Sequence, residues 1–366
     1  MNMSVNLICR KVYIVILNWN GWHDTIECLE SVFKSIYPAF RVIVCDNHSE
    51  DNSIEYIREW AEGRLTLDVT ERNQLKHLLL PPVPKPIRYL MRDESEINGS
   101  NDSNDDGTRL MIIKNRDNYG FAGGNNVGLR YALARNDFDY IWLLNNDTVV
   151  APDALSHLVE RMTGAQNIGI CGSTLRFYHN PDLIQALGGA NYHQWLGVAT
   201  KIGAGQRSPV AIDQKTAESK MDYVVGASMF VTKPFLTDIG ILNEDYFLYY
   251  EELDWAIRAK GRYTLGYAAK SIVFHKEGAS IGSNRTLKQR SLTGDYYLIR
   301  NKIFFTQRFY PYALPTVYGV ILVAIMNRIK DRMWQNAWVM FKVLLAPWRS
   351  YAKVVKKSDS QFADNR

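Results

Sequence analysis

The sequence predicts an α/β protein: a mostly parallel central sheet flanked by helices, followed by a helical, basic and amphipathic extension. Three observations predict it. The run Val12-Tyr-Ile-Val-Ile-Leu17 is continuous, apolar and β-branched, as are strands buried on both faces of a parallel sheet. It passes through the polar turn Asn18-Trp-Asn20-Gly21 into Trp22, Ile26, Leu29, Phe33 and Ile36, which recur at helical spacing and stop before Pro38. The unit then repeats, with Arg41-Val-Ile-Val-Cys45 as strand, Asp46-Asn47-His48-Ser49 as turn and residues 51–60 as helix. Both polar turns therefore fall on one edge of the sheet.

Residues 63–108 break the pattern. Pro81, Pro82, Pro84 and Pro86, then an Asn/Asp/Ser/Gly tract from Asn98 to Gly107, cannot continue a helix or a central strand, and the tract has little to bury. This stretch is expected to be an insertion, part of it mobile. Leu110-Met-Ile-Ile113 resumes the order as a strand and runs into Asn118-Tyr-Gly120-Phe121-Ala-Gly123-Gly124-Asn-Asn126, whose glycines permit close backbone approach at the start of a helix through Val127 and Tyr131. The run lacks the spacing of both the dinucleotide fingerprint and the P-loop, which disfavours a dehydrogenase or a P-loop ATPase. Tyr140-Ile-Trp-Leu-Leu144 is a further buried strand, ending in Asn145-Asn146-Asp147. Beyond it come a helix from Pro152 to Met162, a strand beginning at Ile168, and a strand over residues 222–231. A helix opens at Tyr250-Glu251-Glu252-Leu-Asp254 and ends near Gly261, and a last strand ends in Phe274-His275.

The chemistry-bearing residues gather at element ends. Polar groups at the carboxyl end of a buried strand lie where open α/β sheets bind ligands, so Asp147 is placed to hold a cation, although Asn/Asp clusters also cap loops. Glu251, Glu252 and Asp254 repel one another, so at least one should hold its proton unusually tightly. Such a cluster is either a solvated first turn or, with its apolar neighbours, a partly buried general base. His275 alone reads as a structural hydrogen-bonder.

With 46% hydrophobic and 22% charged residues, the 366-residue chain has the composition of a globular protein with ample core. Cys9, Cys28, Cys45 and Cys171 show no paired spacing and are expected to be reduced, with no zinc site. No secretory signal pattern is visible, and a cytosolic location is expected. The net charge of +5 is uneven: from Arg300 onward twelve Lys/Arg face three Asp, a balance of +9, which leaves −4 before it. Residues 314–326 form an apolar segment of about a dozen residues, short of the ~20 needed to span a bilayer. Trp334, Trp338, Phe341, Leu344, Leu345 and Trp348 then alternate with Arg and Lys, as in helices lying in an anionic membrane interface, or else packed on the domain or a second subunit in a homodimer. Nothing resembles a nucleic-acid reader.

Taken in order, Leu17-Asn-Trp-Asn20, Val44-Cys-Asp46-Asn47-His-Ser49, the run from Asn118 to Asn126, Leu144-Asn-Asn-Asp-Thr148, Tyr250-Glu-Glu-Leu-Asp254 and Phe274-His275 resemble the motifs of inverting GT-A glycosyltransferases of family 2, in particular a bacterial rhamnosyltransferase-like branch. The resemblance runs from about Val12 to Phe305. It implies a GT-A domain over residues 1–310, with the insertion at 63–108, and a membrane-contact or packing segment over residues 311–366. It implies a dTDP- or UDP-sugar donor held by Asn18, Asn20, Asp46, Asn47, Asn118, Gly120, Phe121, Gly123, Gly124 and Asn146, with Gly123 and Gly124 leaving room for donor atoms. Asp147 and His275 would ligate Mg²⁺ or Mn²⁺, and Glu252, with Glu251 as fallback, would take the acceptor proton. The implied reaction is transfer of L-rhamnose to a lipid-linked saccharide by an enzyme peripheral on the inner face of the cell membrane. A second reading keeps the fold and changes the donor to a UDP-hexose; and where the family usually has Asp-x-Asp, this chain has Asn145-Asn146-Asp147, which leaves open a non-catalytic sugar-nucleotide-binding subunit.

Overall fold

The structure is a computed structural model that describes residues 9–70, 73–97, 107–165, 167–208, 213–276 and 291–346. In chain order, β1 (Val12–Asn18), α1 (Trp22–Val32), β2 (Phe40–Asp46), α2 (Ser53–Glu62), α3 (Lys76–Leu79), β3 (Tyr89–Asp93), β4 (Leu110–Lys114), α4 (Gly120–Arg135) and β5 (Tyr140–Asn145) make the first half. The second half contains β6 (Thr148–Val150), α5 (Ala154–Thr163), β7 (Ile168–Phe177), β8 (Asn180–Leu187), β9 (Gly189–His193), β10 (Val198–Lys201), α6 (Gln214–Ser219), β11 (Tyr223–Val224), β12 (Ser228–Thr232), α7 (Lys233–Ile239), α8 (Glu251–Ala259) and β13 (Thr264–His275). Three helices follow: α9 (Leu292–Phe309), α10 (Leu314–Lys330) and α11 (Trp334–Leu345).

One large sheet runs β3-β4-β2-β1-β5-β12-β7-β13-β6, with β8 on β7. Its first five strands are parallel, as the apolar runs predict, whereas β12 is antiparallel to both neighbours. Side chains alternate between two cores. Ile14, Ile16, Val42, Val44 and Trp142 face one, with residues of α1, α2 and α5; Tyr13, Val15, Ile43, Met111 and Leu143 face the other, with residues of α4, α7 and α8. Register sets the site: Asn18 pairs with Asp46, and Leu17 with Asn145, so the polar ends of β1, β2 and β5 share one edge.

The structure corrects four expectations. Residues 63–108 are not merely an insertion, because Tyr89–Asp93 forms the parallel edge strand β3 and Leu75, Leu78 and Leu79 pack in a small core. An edge position tolerates the adjacent prolines; the mobile part of the expectation, residues 98–106, lies outside the described residues. Residues 222–231 are two short strands in different sheets, β11 with β9 and β12 with β5 and β7, broken at Val225-Gly226-Ala227. The first helix stops at Val32, leaving Ile36 exposed. The apolar tail segment is longer than a dozen residues: Pro315 sits in the first turn of α10, where its missing N–H costs nothing, and Gly319 does not interrupt the helix. Among the described residues, one helix, Pro311–Lys330, mean hydropathy 1.4, is long and apolar enough to cross a membrane by length and composition. It packs one face, Val317, Ile321 and Ile325, against α9 and α11.

Candidate active site

The first two polar turns are stitched together. Asn18 donates to Asp46 Oδ1 at 2.7 Å and to Ser49 Oγ at 3.1 Å, and accepts from Thr25 Oγ1 at 2.7 Å. Ser49 N donates to the other Asp46 oxygen at 3.0 Å, Asn20 N donates to Ser49 Oγ at 2.9 Å, and Glu50 N donates to Asn20 Oδ1 at 2.8 Å. Asn20 and His48 accept left-handed backbone to make these bonds. Asn146 joins them, donating to Thr25 Oγ1 at 3.1 Å. Asn18 is fully buried and its amide already has three partners. Its geometry is that of a brace under the turn.

Asn47 is the second hub. It donates to Asn118 Oδ1 at 2.8 Å and to the Gly120 carbonyl at 3.1 Å, and accepts from Asn115 Nδ2 and from Tyr119 N, each at 3.1 Å. A Cβ at Gly124 would lie 2.5 Å from Leu17 Cδ1, and one at Gly123 would lie 2.6 Å from Tyr119 Cβ, so neither position has room for a side chain of its own. Gly120, at φ +68°, would drive a Cβ to 2.3 Å from the Phe247 carbonyl oxygen. These glycines let α4 close onto β1 and onto the 247 loop.

Asp147 and His275 meet across the β6–β13 pair, Nε2 lying 3.2 Å from Oδ1, and both are buried. His275 Nδ1 is 2.8 Å from Gln185 Oε1. An amide oxygen accepts only, so Nδ1 carries a hydrogen, and a cation held between the ring and Asp147 would take the Nε2 lone pair. Two ligands at right angles on an ion with ~2.1 Å bonds stand about 3 Å apart, so this oxygen and nitrogen fit a hard or borderline divalent cation such as Mg²⁺ or Mn²⁺. Among the described residues no group of three or more His, Cys, Asp or Glu could hold a metal. The next residue, Lys276, is ion-paired with Asp24 at 2.6 Å and with Glu27, and lines a cavity of about 490 Å³ with Asp24, Asn73 and Tyr178. Burial opposes its charge, yet those two carboxylates raise its pKa.

The acidic cluster separates into roles. Asp254 is fully buried and neutralised by Arg258 Nε at 2.6 Å, and accepts from Tyr246 OH at 3.1 Å. Glu251 and Glu252 each keep one buried carboxylate oxygen without a hydrogen-bond partner. Burial pushes both pKa values up, that of Glu251 well above the usual range with the Glu252 charge adding to it, while Lys201 partly offsets the rise at Glu252. A Cβ built at Gly226 would sit 3.6 Å from Glu252 Oε1 and 3.7 Å from Phe121 Cζ. The carboxylate, a ring edge and bare backbone therefore border one small space. Ala227, the next residue, accepts from Asn145 N at 3.1 Å, which links this space to the Asn145-Asn146-Asp147 turn.

Entry into α8 is strained. Phe247, Tyr249 and Tyr250 all adopt positive φ, of 60°, 69° and 77°. Asn301 on α9, fully buried, holds them by donating to the carbonyls of Tyr246 and Leu248 at 2.7 Å and of Tyr249 at 3.1 Å. Thr25, Gln185 and Asn301 were not picked out from the sequence. Asn115, at the head of the polar stretch after β4, and Gly226, small within an apolar run, lay in stretches noted there but were given no role.

A glycosyl transferase family 2 model matches residues 13–77 and 96–212, which hold every site residue from Asn18 to Asp147 but neither glutamate nor His275. The chain is 25% identical over 151 residues to the low-salt glycan biosynthesis hexosyltransferase Agl10 of Haloferax volcanii; the match spans 41% of this chain and about half, 46%, of that relative. The mannosyltransferase PcManGT of Pyrobaculum calidifontis, solved with GDP-Man and Mn²⁺, superposes with a TM-score of 0.52 at 14% identity, over 93% of this chain and 88% of its own. GalNAc-T7, solved with UDP, GalNAc and Mn²⁺, gives 0.52 at 14% identity over 85% and 50%. Just under half of the chain thus matches the glycosyl transferase family 2 model, and its mostly parallel sheet with flanking helices has the GT-A glycosyltransferase fold.

Proposed function

We propose that the protein is an inverting glycosyltransferase that moves a sugar, L-rhamnose from dTDP-L-rhamnose, to a hydroxyl of a lipid-linked saccharide in cell-surface polysaccharide biosynthesis. The observation that carries the transferase reading is the half-buried Glu252, which keeps one buried carboxylate oxygen, Oε2, without a partner and turns the other, Oε1, towards the space at Gly226 and Phe121. A module that only bound a sugar nucleotide would have no use for it. Glu252 takes the acceptor hydroxyl proton while that oxygen bonds to the anomeric carbon. The bond from this carbon to the diphosphate breaks, its electron pair leaving with the nucleoside diphosphate, and a single displacement inverts the centre. Glu251 is the fallback base.

Asp147 and His275 would hold Mg²⁺ or Mn²⁺, which when bound offsets charge on a departing diphosphate. The turns of Asn18, Asn20, Asp46, Asn47 and Asn118 shape the nucleoside side. Their amides are so thoroughly paired with one another that most would orient backbone groups rather than touch the base. Asn47 and Asn146, each in an Asn-x-Ser/Thr pattern, are buried and hydrogen-bonded, so a glycan on either would disrupt the site. That favours the cytoplasmic face of the membrane.

A UDP-hexose donor is the second reading, favoured by the name of the Haloferax relative, a hexosyltransferase. The test is thermal stabilisation by dTDP-, UDP- and GDP-sugars with and without Mn²⁺, followed by acceptor-free donor hydrolysis. A ligand at a hundred times its Kd stabilises by ~2.7 kcal/mol. Stabilisation by dTDP-rhamnose alone supports the first reading, by a UDP-hexose the second, and by none of them defeats both.

A further inference from the structure

The α10–α11 hairpin is apolar on the wrong side as well as the right one. Its inner side forms a core with α9 through Ile299, Ile303, Val317, Ile321, Met340 and Val343. On the side of α10 opposite that stripe, Leu322, Val323, Met326 and Ile329 are exposed; on α11, Trp334, Trp338, Phe341 and Leu345 are exposed, at 63%, 57%, 38% and 70%. A solvated helix places polar residues there. Neither helix can roll to hide its stripe, because Arg328 of α10 forks onto the buried Asp295 of α9 at 2.9 and 3.0 Å, and Asn336 of α11 donates to the same carboxylate at 2.9 Å. That carboxylate fixes the rotational phase of both helices.

A second exposed apolar element adjoins the start of α10. The turn between β9 and β10 lifts Trp195 and Leu196 into solvent, Trp195 packs 5.1 Å from Tyr312, and Thr316 donates to the Trp195 carbonyl. The same turn reaches the catalytic side, since Tyr250 OH donates to the Gly197 carbonyl at 3.1 Å, one residue before Glu251.

We propose that Trp195-Leu196 and the outer faces of α10 and α11 form one docking surface for the interface of an anionic phospholipid bilayer. Three features choose a bilayer over a second copy of the chain. Tryptophans sit among the aliphatic side chains, the arrangement favoured where acyl chains meet headgroups. Lys330, Arg332 and Lys342 flank the stripes, Lys342 lying 5.1 Å from the Trp338 ring centroid, and these cations match anionic headgroups. A twofold dimer through this face would set those cations against their own copies. Docking is in the plane of the interface and not a crossing, because α10 is bound by the Arg328–Asp295 pair to α9, whose Asn301 is locked into the catalytic loop. Resting on the glycosyltransferase reading, the surface would bring a lipid-linked acceptor to Glu252 from the membrane plane.

The experiment is co-sedimentation of the full chain with vesicles of phosphatidylcholine alone or with about one quarter phosphatidylglycerol, at low and high salt. Binding should require phosphatidylglycerol and weaken with salt without vanishing, since only the Coulomb part is screened. Trp338→Glu and Trp195→Glu should each lower partitioning roughly tenfold or more, and brominated lipid should quench wild-type tryptophan fluorescence, a readout that needs no variant. Failure of the wild-type chain to sediment or be quenched overturns the proposal, as does binding unchanged in both variants, or a dimer that ignores vesicles and is split by Trp338→Glu. Donor stabilisation measured on the same samples reports separately on the proposed activity.

Discussion

Gln185 and His275, ninety positions apart in the chain, are joined through Oε1 and Nδ1 at 2.8 Å inside the sheet, Gln185 on β8 and His275 at the end of β13. This bond sets the tautomer that leaves Nε2 available as a ligand. Gln185→Leu should therefore lower Mn²⁺ affinity by roughly 10–100-fold, the usual worth of such a partner. Manganese binding followed by electron paramagnetic resonance checks this without turnover. Unchanged affinity would remove His275 from the ligand set or Gln185 from its support.

Asp147 is the carboxylate left where the related motif usually has two. Asp147→Asn should abolish metal-dependent donor stabilisation, while Asn145→Asp, whose side chain sits 3.5 Å from His275 Nε2, should be tolerated or tighten the ion. Activity that survives both EDTA and Asp147→Asn would end the cation reading.

Glu252→Gln should leave donor binding nearly intact and lower turnover by roughly 10²–10⁴. Because a base must be deprotonated and burial raises the Glu252 pKa, the wild-type rate should fall on acidification from a pH above the ordinary glutamate range. Full activity in Glu252→Gln with an inactive Glu251→Gln would move the role one residue back.

The same raised values have a stability sign. In the folded chain Glu251 binds its proton more tightly than when unfolded, so its contribution is most favourable below the unfolded pKa and is lost as pH rises through the folded one. Glu251→Gln should then raise Tm at neutral pH, and the gain should disappear near pH ~3, about a unit or more below the ~4.3 of an unfolded glutamate, where the wild-type side chain is protonated in both states. Scanning calorimetry at the two pH values decides it; an equal or lower Tm at neutral pH would mean that a cation or another partner neutralises Glu251.

Asn301→Ala should leave the carbonyls of Tyr246, Leu248 and Tyr249 without their buried donor, at a cost of roughly 1–3 kcal/mol for each group left unpaired. The loop it holds carries the three left-handed residues, so kcat should fall more than donor affinity does. A variant with ordinary kcat and only a lower Tm would make Asn301 a purely structural clamp.

What was legible in the sequence follows from how each element is buried. Strands β1, β2, β4 and β5 are covered on both faces, and such strands write themselves as continuous apolar runs ending in polar turns. Antiparallel β6, β8, β9 and β10 are short or partly exposed, with no such run, and β3 is an edge strand close to prolines. Motif residues could be read because they stand at strand and helix ends. Gln185 and Asn301 could not, since each acts on a partner 90 or about 50 positions away and neither lies in a recognisable spacing. At Gly123 and Gly124 the sequence marks close approach without saying what approaches, and the structure adds Tyr119 and Leu17 as near neighbours.

The order of strands also fixes when the site comes into being. The strands β4, β2, β1 and β5 are contiguous in space and complete by residue 145, but β12, at residues 228–232, has to enter between β5 and β7, and β13 then closes against β7 and β6. During synthesis the turns after β1 and β2 can therefore assemble well before His275 emerges, and Asp147 stays without its histidine until the sheet is nearly whole. A nascent or truncated chain ending before β13 has those turns yet no Asp147–His275 pair, so under the proposed function it would lack its cation site even where it is already folded.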